Sequence, residues 1–185
     1  MLDDLSHLIG RCAGGDSGAA AELVRRFQAQ VYGLCYRMLG CRHDAEDVVQ
    51  ESFIRALKSL AHYDRQREFL PWLLAIAGNR CRTLLATRRR RPAENALPEN
   101  VLDRSPDWQA ARNLAEEVGL ALATLRAEYR QAFLLFHQQE LSYIEIADSM
   151  GVPVGTVKTW VHRGRREMIE HLRRRGVLCE AVHAV

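Results

Sequence analysis

Residues 141–168 read LSYIEIADSMGVPVGTVKTWVHRGRREM, and the fold of the chain is easiest to predict from this stretch. Ser142 followed three residues later by Glu145 is a capping box, which marks the first turn of a helix. Gly151 and Pro153 then end that helix, because glycine permits a left-handed backbone and proline cannot continue a helix. A second helix follows directly. This order of elements predicts a helix-turn-helix, which DNA-binding proteins place in the major groove.

The second helix of this pair separates apolar side chains from polar ones. Its inward stripe is predicted to be Val157, Val161, Gly164, Met168 and Leu172. Its opposite face carries hydroxyl, imidazole and basic groups, which can reach guanine edges or phosphates. A solvated basic face is the alternative, but the capping box, the turn and the separated faces together favour DNA binding. The predicted DNA-binding residues are Lys158, Thr159, His162, Arg163 and Arg166.

Helical periodicity dominates the rest of the chain, and alternating strand patterns are absent, so we predict an all-α fold. A first helix begins with Ser17 as its cap and ends at Gly40; a second begins with Asp44 as its cap. A third runs from Phe69 or Pro71 to the arginine run. The predicted buried stripe of the first helix is Leu23, Phe27, Val31, Leu34 and Met38.

Proline and charge divide the chain into two small helical domains joined by a flexible linker. Pro92, Pro98 and Pro106 exclude a long helix, and the linker segment is acidic, with four Asp or Glu against two Lys or Arg. Basic residues gather on both sides of it. Two basic regions separated by a linker are typical of a protein that contacts a polyanion at two sites. The predicted divisions are 1–91, the linker 92–112, 113–175 and a tail, 176–185.

Several classes of protein are disfavoured by the sequence. It contains no phosphate-binding loop, nucleophile elbow or paired carboxylate site, so we expect no enzyme. The five cysteines lack CxxC spacing and the histidines are scattered, so we expect free thiols and neither a metal nor a cofactor. No apolar run is long enough to span a bilayer, and the first ten residues, MLDDLSHLIG, lack the basic region of a secretory signal, which favours the cytoplasm.

Three segments, in their order, resemble a known family. The quoted stretch closely resembles region 4 of bacterial sigma factors. HDAEDVVQESFIRALKSL (43–60) resembles their polymerase-binding helix, and FLPWLLAIAGNRCRTLLATRRRR (69–91) resembles the helix that reads the melted promoter element. The order and separation match the small extracytoplasmic-function (ECF) class, over about residues 10–175.

The resemblance implies a sigma factor that binds core RNA polymerase and directs promoter recognition and melting at transcription initiation. Its DNA partners would be the minus-thirty-five duplex and the single strand of the melted minus-ten element. Many relatives also bind an anti-sigma factor. The implied polymerase-binding residues are Asp47, Gln50, Glu51 and Leu57. The implied minus-ten residues are Asn79, which matches the base-reading asparagine, with Trp72, Arg80, Thr83, Arg88 and Arg89.

This chain departs from the family pattern within the minus-ten helix. Leu74 and Ala75 stand where members often carry an aromatic residue and a base, and Gly78 replaces a larger residue before Asn79. Two alternative functions remain open. One is a helix-turn-helix regulator that acts on duplex operators as a dimer, without polymerase. The other is a thiol sensor built on the scattered cysteines.

Overall fold

A computed structural model of the chain describes residues 2–90 and 106–178, with side chains described for 4–90 and 114–178. Both ranges are helical and contain no strand, which confirms the all-α prediction. Most of the predicted linker and residues 179–185 of the tail lie outside the described residues. The helices are α1 (Leu2–Ala13), α2 (Ser17–Leu39), α3 (Arg42–Ser59), α4 (Phe69–Arg90), α5 (Pro106–Thr124), α6 (Ala127–His137), α7 (Tyr143–Met150) and α8 (Val154–Arg174), with a 3-10 turn at Leu60–His62.

Helices α1–α4 form the N-terminal lobe, in which α2 packs against α1, α3 and α4. The predicted stripe of α2 is buried throughout. The helix ends at Gly40 as predicted, in the left-handed conformation at φ 69°. Its N-cap prediction was wrong by one residue, because Asp16, not Ser17, accepts the Ala19 backbone N–H through its side chain. A carboxylate at that position also stabilises the positive end of the helix.

Helix α3 begins earlier than the sequence predicted. It starts at Arg42, with Cys41 preceding it, so Asp44 lies in the first turn and does not cap the helix. The carboxyl of Asp44 instead pairs with Arg88 of α4. The buried face of α3 includes Phe53, which is 4% exposed.

Helices α5–α8 form the C-terminal lobe and contain the predicted helix-turn-helix. The capping box between Ser142 and Glu145 is present, and Gly151 ends α7 at φ 67°. The predicted inward stripe of α8 is buried. Within it, Gly164 faces α6, and a Cβ there would stand at ordinary contact distance, 3.5 Å, from both the Phe133 Cβ and the Tyr129 carbonyl oxygen.

The two lobes pack against each other. Helix α4 lies against α6 and α7, and α2 lies against α5 and α6. At the edge of this contact, the guanidinium of Arg67 stands 3.6 Å from the carboxyl of Asp148. The sequence predicted two tethered lobes but gave no sign of this contact, because no local pattern encodes it.

Candidate nucleic-acid interface

The predicted duplex-binding residues lie together on the outer face of α8. Lys158, Thr159, His162, Arg163 and Arg166 are all exposed. Helix α8 holds them there because its opposite stripe is buried against α6 and α7. Their concentration on one side gives the helix the donor-rich surface that readout in a major groove requires.

Two of the basic side chains on this face are oriented by aromatic neighbours. Arg163 donates from Nη1 to the Tyr129 hydroxyl over 3.1 Å, and this hydrogen bond is the main cause that lowers the pKa of Tyr129. The Lys158 ammonium lies 5.9 Å from the centre of the Tyr143 ring. Trp160 lies between the two faces of α8 and is half-buried, with its ring centre 6.4 Å from that of Tyr129. Arg163 is therefore anchored to the scaffold.

A second polar face lies on α4, where Trp72, Asn79 and Thr83 follow one another along the same side of the helix. Asn79 is exposed, and its Oδ1 accepts a hydrogen bond from Arg82. The hydroxyl of Thr83 donates to the Asn79 carbonyl over 2.9 Å. Arg82 was not among the predicted residues, although its i,i+3 spacing from Asn79 is the signal that identifies it.

Trp72 belongs to an aromatic cluster at the start of α4. Its ring centre lies 4.9 Å from that of Tyr63 and 5.5 Å from that of Phe69. The hydroxyl of Tyr63 donates a hydrogen bond to the Arg67 carbonyl and so stabilises the loop that precedes α4. Because Trp72 is only half-buried, the cluster holds a partly exposed indole about two helical turns before Asn79 on the same side of α4.

Arg80 and Arg88 point away from this face and toward α3. Arg80 forms an ion pair with Glu51, and Arg88 forms one with Asp44. Arg89, in contrast, is exposed. The structure therefore brings Trp72, Asn79 and Thr83 together but places Arg80 and Arg88 between the two helices.

The predicted polymerase-binding residues lie on α3 with unequal exposure. Asp47 and Gln50 are exposed, Glu51 is partly buried between Arg55 and Arg80, and Leu57 packs at the edge of the core. Ile54 was missed, although it is 53% exposed on the same side of the helix. The sequence could have identified Ile54, because it is an apolar side chain on the otherwise polar face of α3.

The acids of α3 are held in their charged forms by the arginines of α3 and α4. Burial acts to raise the pKa of Glu51, but hydrogen bonds from Arg55 and Arg80 outweigh it and the pKa lies below its usual value. Burial opposes ionisation of Asp44 as well, and the hydrogen bond from Arg88 is the strongest of the effects that lower the pKa of Asp44. Two ion pairs, Arg80–Glu51 and Arg88–Asp44, therefore join α3 to α4 near neutral pH.

The four cysteines that the structure describes are fully or partly withdrawn from solvent. Cys12, Cys35 and Cys81 are buried, and Cys41 is partly buried. Hydrogen bonding with Cys81, followed by burial, raises the pKa of Cys35, and burial raises that of Cys12. A raised pKa disfavours the thiolate, which is the reactive form. The fifth cysteine, Cys179, lies outside the described residues.

Within residues 2–90 and 106–178, no helix is long and apolar enough to cross a membrane. The same ranges contain no cluster of three or more His, Cys, Asp or Glu side chains suited to a metal ion.

Comparison with known proteins gives two family matches, one in each lobe. Residues 23–91 match Sigma-70 region 2, and residues 115–168 match Sigma-70 region 4. The chain is 34% identical over 180 residues to the ECF RNA polymerase sigma factor SigW of Bacillus subtilis (strain 168), covering 86% of this chain and 91% of that protein.

Solved structures agree with this fold. CnrH in complex with the cytosolic domain of CnrY matches with a TM-score of 0.69 and 25% identity, covering 90% of this chain and 96% of that one. The sigma factor RpoE in complex with the anti-sigma factor NepR, from Bartonella quintana, matches with a TM-score of 0.66 and 22% identity, covering 83% and 96%. These similarities disfavour a regulator that acts without polymerase. The chain therefore belongs to the ECF RNA polymerase sigma factors, which bind core RNA polymerase and direct it to promoter DNA.

Proposed function

We propose that the two lobes of this sigma factor divide promoter recognition between them. Residues 1–91 dock on core polymerase and hold the melted minus-ten strand, and residues 113–175 bind the minus-thirty-five duplex. Residues 92–112 connect the two, and residues 176–185 form a tail. One observation carries the proposal: exposed faces of different chemistry lie on α3, α4 and α8, each backed by a buried stripe.

The polymerase-docking face of α3 combines an apolar centre with a polar surround. Ile54 supplies the apolar surface, and Asp47 and Gln50 stand exposed beside it. Glu51 and Leu57 border the same face. Interfaces commonly place a desolvated apolar group inside a ring of polar contacts. The assignment therefore has the composition of a protein-docking surface.

The minus-ten face of α4 is suited to unstacked bases. The side-chain amide of Asn79 can pair with a base edge, the indole of Trp72 offers a stacking surface, and Thr83 adds a hydroxyl. Arg89 is placed to contact phosphates. Arg80 and Arg88 reach DNA only when their ion pairs with α3 are exchanged for phosphate contacts.

The minus-thirty-five face of α8 is assigned to Lys158, Thr159, His162, Arg163 and Arg166. Lys158 and Thr159 lie near the N-terminal end of the helix, which is the end that recognition helices direct at base edges. Arg163 is fixed by Tyr129, and a fixed guanidinium loses less conformational freedom when it binds a phosphate or guanine.

The chain acts in the cytoplasm as a specificity subunit, and we assign no catalytic step to it. An anti-sigma factor is a further candidate partner. The similarity to RpoE, which was solved bound to NepR, supports a search for such a partner.

Run-off transcription with purified core polymerase tests the proposal. The chain should bind core polymerase without DNA and support initiation from a cognate promoter. Gln50→Ala with Glu51→Ala should abolish core binding and leave minus-thirty-five duplex binding intact. Lys158→Ala should weaken duplex binding and leave core binding intact. Arg174→Ala, which removes an exposed cation in the last turn of α8, is the control. No affinity of the wild-type chain for core polymerase would overturn the proposal.

A further inference from the structure

Two buried cysteines face each other across packed helices of the N-terminal lobe. Cys35 lies on α2 and Cys81 on α4, and both are 0% exposed. Cys35 belongs to the buried stripe of α2, and Cys81 continues the buried side of α4 after Ala77 and Gly78. The two helices pack against each other, and the thiols of Cys35 and Cys81 are joined by a hydrogen bond. The fold thus pairs two thiols that lie far apart in the sequence.

Arg130 of α6 gives the two thiols different surroundings. Its guanidinium donates to the carbonyl of Met38, which lies three residues after Cys35 on α2. The same guanidinium lies close enough to Cys81 to interact electrostatically with its sulfur, and Arg130 is 6% exposed, so little water screens that interaction. A cation beside a cysteine stabilises negative charge on the sulfur, and the thiolate is the form that an oxidant attacks. These surroundings make Cys81 the sulfur that reacts first.

Oxidation of a buried cysteine damages a protein when no second thiol lies near. The first product, a sulfenic acid, is polar, and further oxidation to the sulfinic acid is irreversible in most proteins. A polar or charged group that is enclosed in a core without partners opposes folding. A neighbouring thiol changes this outcome, because it condenses with the sulfenic acid to form an uncharged disulfide. Cys35 holds that position beside Cys81.

We propose that Cys35 and Cys81 form a disulfide in response to peroxide, and that this cross-link between α2 and α4 keeps the N-terminal lobe folded during oxidation. The Cys81 sulfur attacks one oxygen of the peroxide, the O–O bond breaks, and the leaving oxygen takes the thiol proton. The Cys35 sulfur then attacks the Cys81 sulfur, the S–O bond breaks, and the hydroxyl leaves with the Cys35 proton as water. The two sulfurs together lose two electrons, which reduce the peroxide.

The cross-link encloses the segment that carries the exposed faces of this lobe. All of α3 and the first part of α4, including Asn79, lie between Cys35 and Cys81 along the chain. A disulfide restricts the unfolded chain by closing such a segment into a loop, and the folded state gains stability relative to it. Stabilising this loop therefore preserves the faces of α3 and α4 together.

Neighbouring side chains of α6 shield the two thiols and determine which oxidant reaches them. Arg130 lies beside Cys81, and Gln131 lies over Gly78, about one turn earlier in α4. Burial and the hydrogen bond with Cys81 also raise the pKa of Cys35, so its thiol stays protonated until Cys81 has been oxidised. An oxidant enters only when this packing opens transiently. Hydrogen peroxide is therefore the appropriate probe, because it is small and uncharged.

Mass spectrometry of the peroxide-treated chain tests the disulfide directly. Cys12→Ala, Cys41→Ala and Cys179→Ala together leave only the proposed pair. This triple variant should lose the mass of two hydrogen atoms and yield one cross-linked peptide that joins Cys35 to Cys81, and dithiothreitol should reverse both changes. The wild-type chain should give the same cross-link, so the test does not depend on how well the variant folds. Sulfinic acid on either cysteine, or disulfide-linked dimers as the main product, would overturn the proposal.

Urea unfolding and run-off transcription test the consequence. The oxidised triple variant should unfold at a higher urea concentration than its reduced form and keep most of its transcription activity. Adding Cys35→Ala removes the resolving thiol, so the same peroxide treatment should then lower both stability and activity. An oxidised triple variant no more stable than its reduced form, or equal losses of activity with and without Cys35, would overturn the inference. If no variant binds core polymerase, the proposed function fails, but the urea comparison still decides whether the cross-link stabilises the lobe.

Discussion

Ile54 gives the most direct test of the polymerase-docking face. The side chain is 53% exposed on α3, so it presents roughly 90 Å² of apolar surface, worth about 2 kcal/mol if a partner buries it completely. Truncation to alanine removes most of that surface. We expect Ile54→Ala to weaken binding to core polymerase by about tenfold, or ~1.4 kcal/mol. Titration of core polymerase with a fluorescently labelled chain measures this change.

The same substitution should leave the fold almost unchanged. An exposed side chain contributes little to packing, so the free energy of unfolding should shift by less than about 0.5 kcal/mol. Ile144→Ala is the matched control, because Ile144 is 64% exposed but lies on α7 in the other lobe. Equal effects of the two substitutions on core binding, or no effect of Ile54→Ala, would refute the assignment of this face.

Three further predictions concern the other faces and the helix pairing. Asn79→Ala should reduce open-complex formation by roughly 10- to 100-fold with core binding unchanged, as measured by permanganate reactivity of the promoter; a defect confined to core binding would contradict it. Lys158→Ala should weaken duplex binding and reduce the slope of log K against log salt by about one, and an unchanged slope would remove the phosphate contact. Asp44→Asn should cost about 1 kcal/mol of unfolding free energy at pH 7, because it breaks the pair with Arg88. The pKa of Asp44 is lowered by folding, so this contribution is present above the ordinary value of 3.8 and is lost as pH falls through the lower folded value. Urea unfolding at pH 7 and pH 3 should therefore show a gap that narrows at the lower pH, and a constant gap would contradict the pairing.

Local signals predicted much of the fold. The stripe of α2, the capping box of α7 and the inward face of α8 depend on residues within a few positions of one another, which is the range of periodicity and capping rules. The start of α3 was missed because Cys41, which precedes it, has no capping side chain hydrogen bond. A carboxylate at Asp44 looked like a cap, but its partner is Arg88, 44 residues away.

The sequence predicted which helix faces carry the candidate binding residues, but it did not predict the contacts between those helices. The exposed positions of α8 followed from helical geometry, whereas Asn79 was predicted from the resemblance to the family. The pairing of Arg80 with Glu51 joins residues 29 apart and depends on how α3 packs on α4. Gly78 appeared in the sequence only as a departure from the family pattern, since the glutamine that fills its place comes from the other lobe.

The ion pair between Arg80 and Glu51 couples the proposed polymerase face to the proposed DNA face. If polymerase binds Glu51, Arg80 becomes available to phosphate, and by thermodynamic reciprocity DNA that binds Arg80 makes Glu51 available to polymerase. The two side chains are 29% and 38% exposed, so exchanging the pair involves about 0.5–1 kcal/mol, or roughly two- to fivefold in affinity.

Glu51→Gln should therefore raise the affinity of the isolated chain for minus-ten single strand by that factor, as measured by fluorescence anisotropy. Asp47→Asn makes the same change of charge on α3, but its carboxyl lies 3.6 Å from His43, so it should have a smaller effect. Equal gains from the two substitutions would show that only the overall charge of α3 matters, and a gain that survives Arg80→Gln would show that the pair does not transmit the coupling.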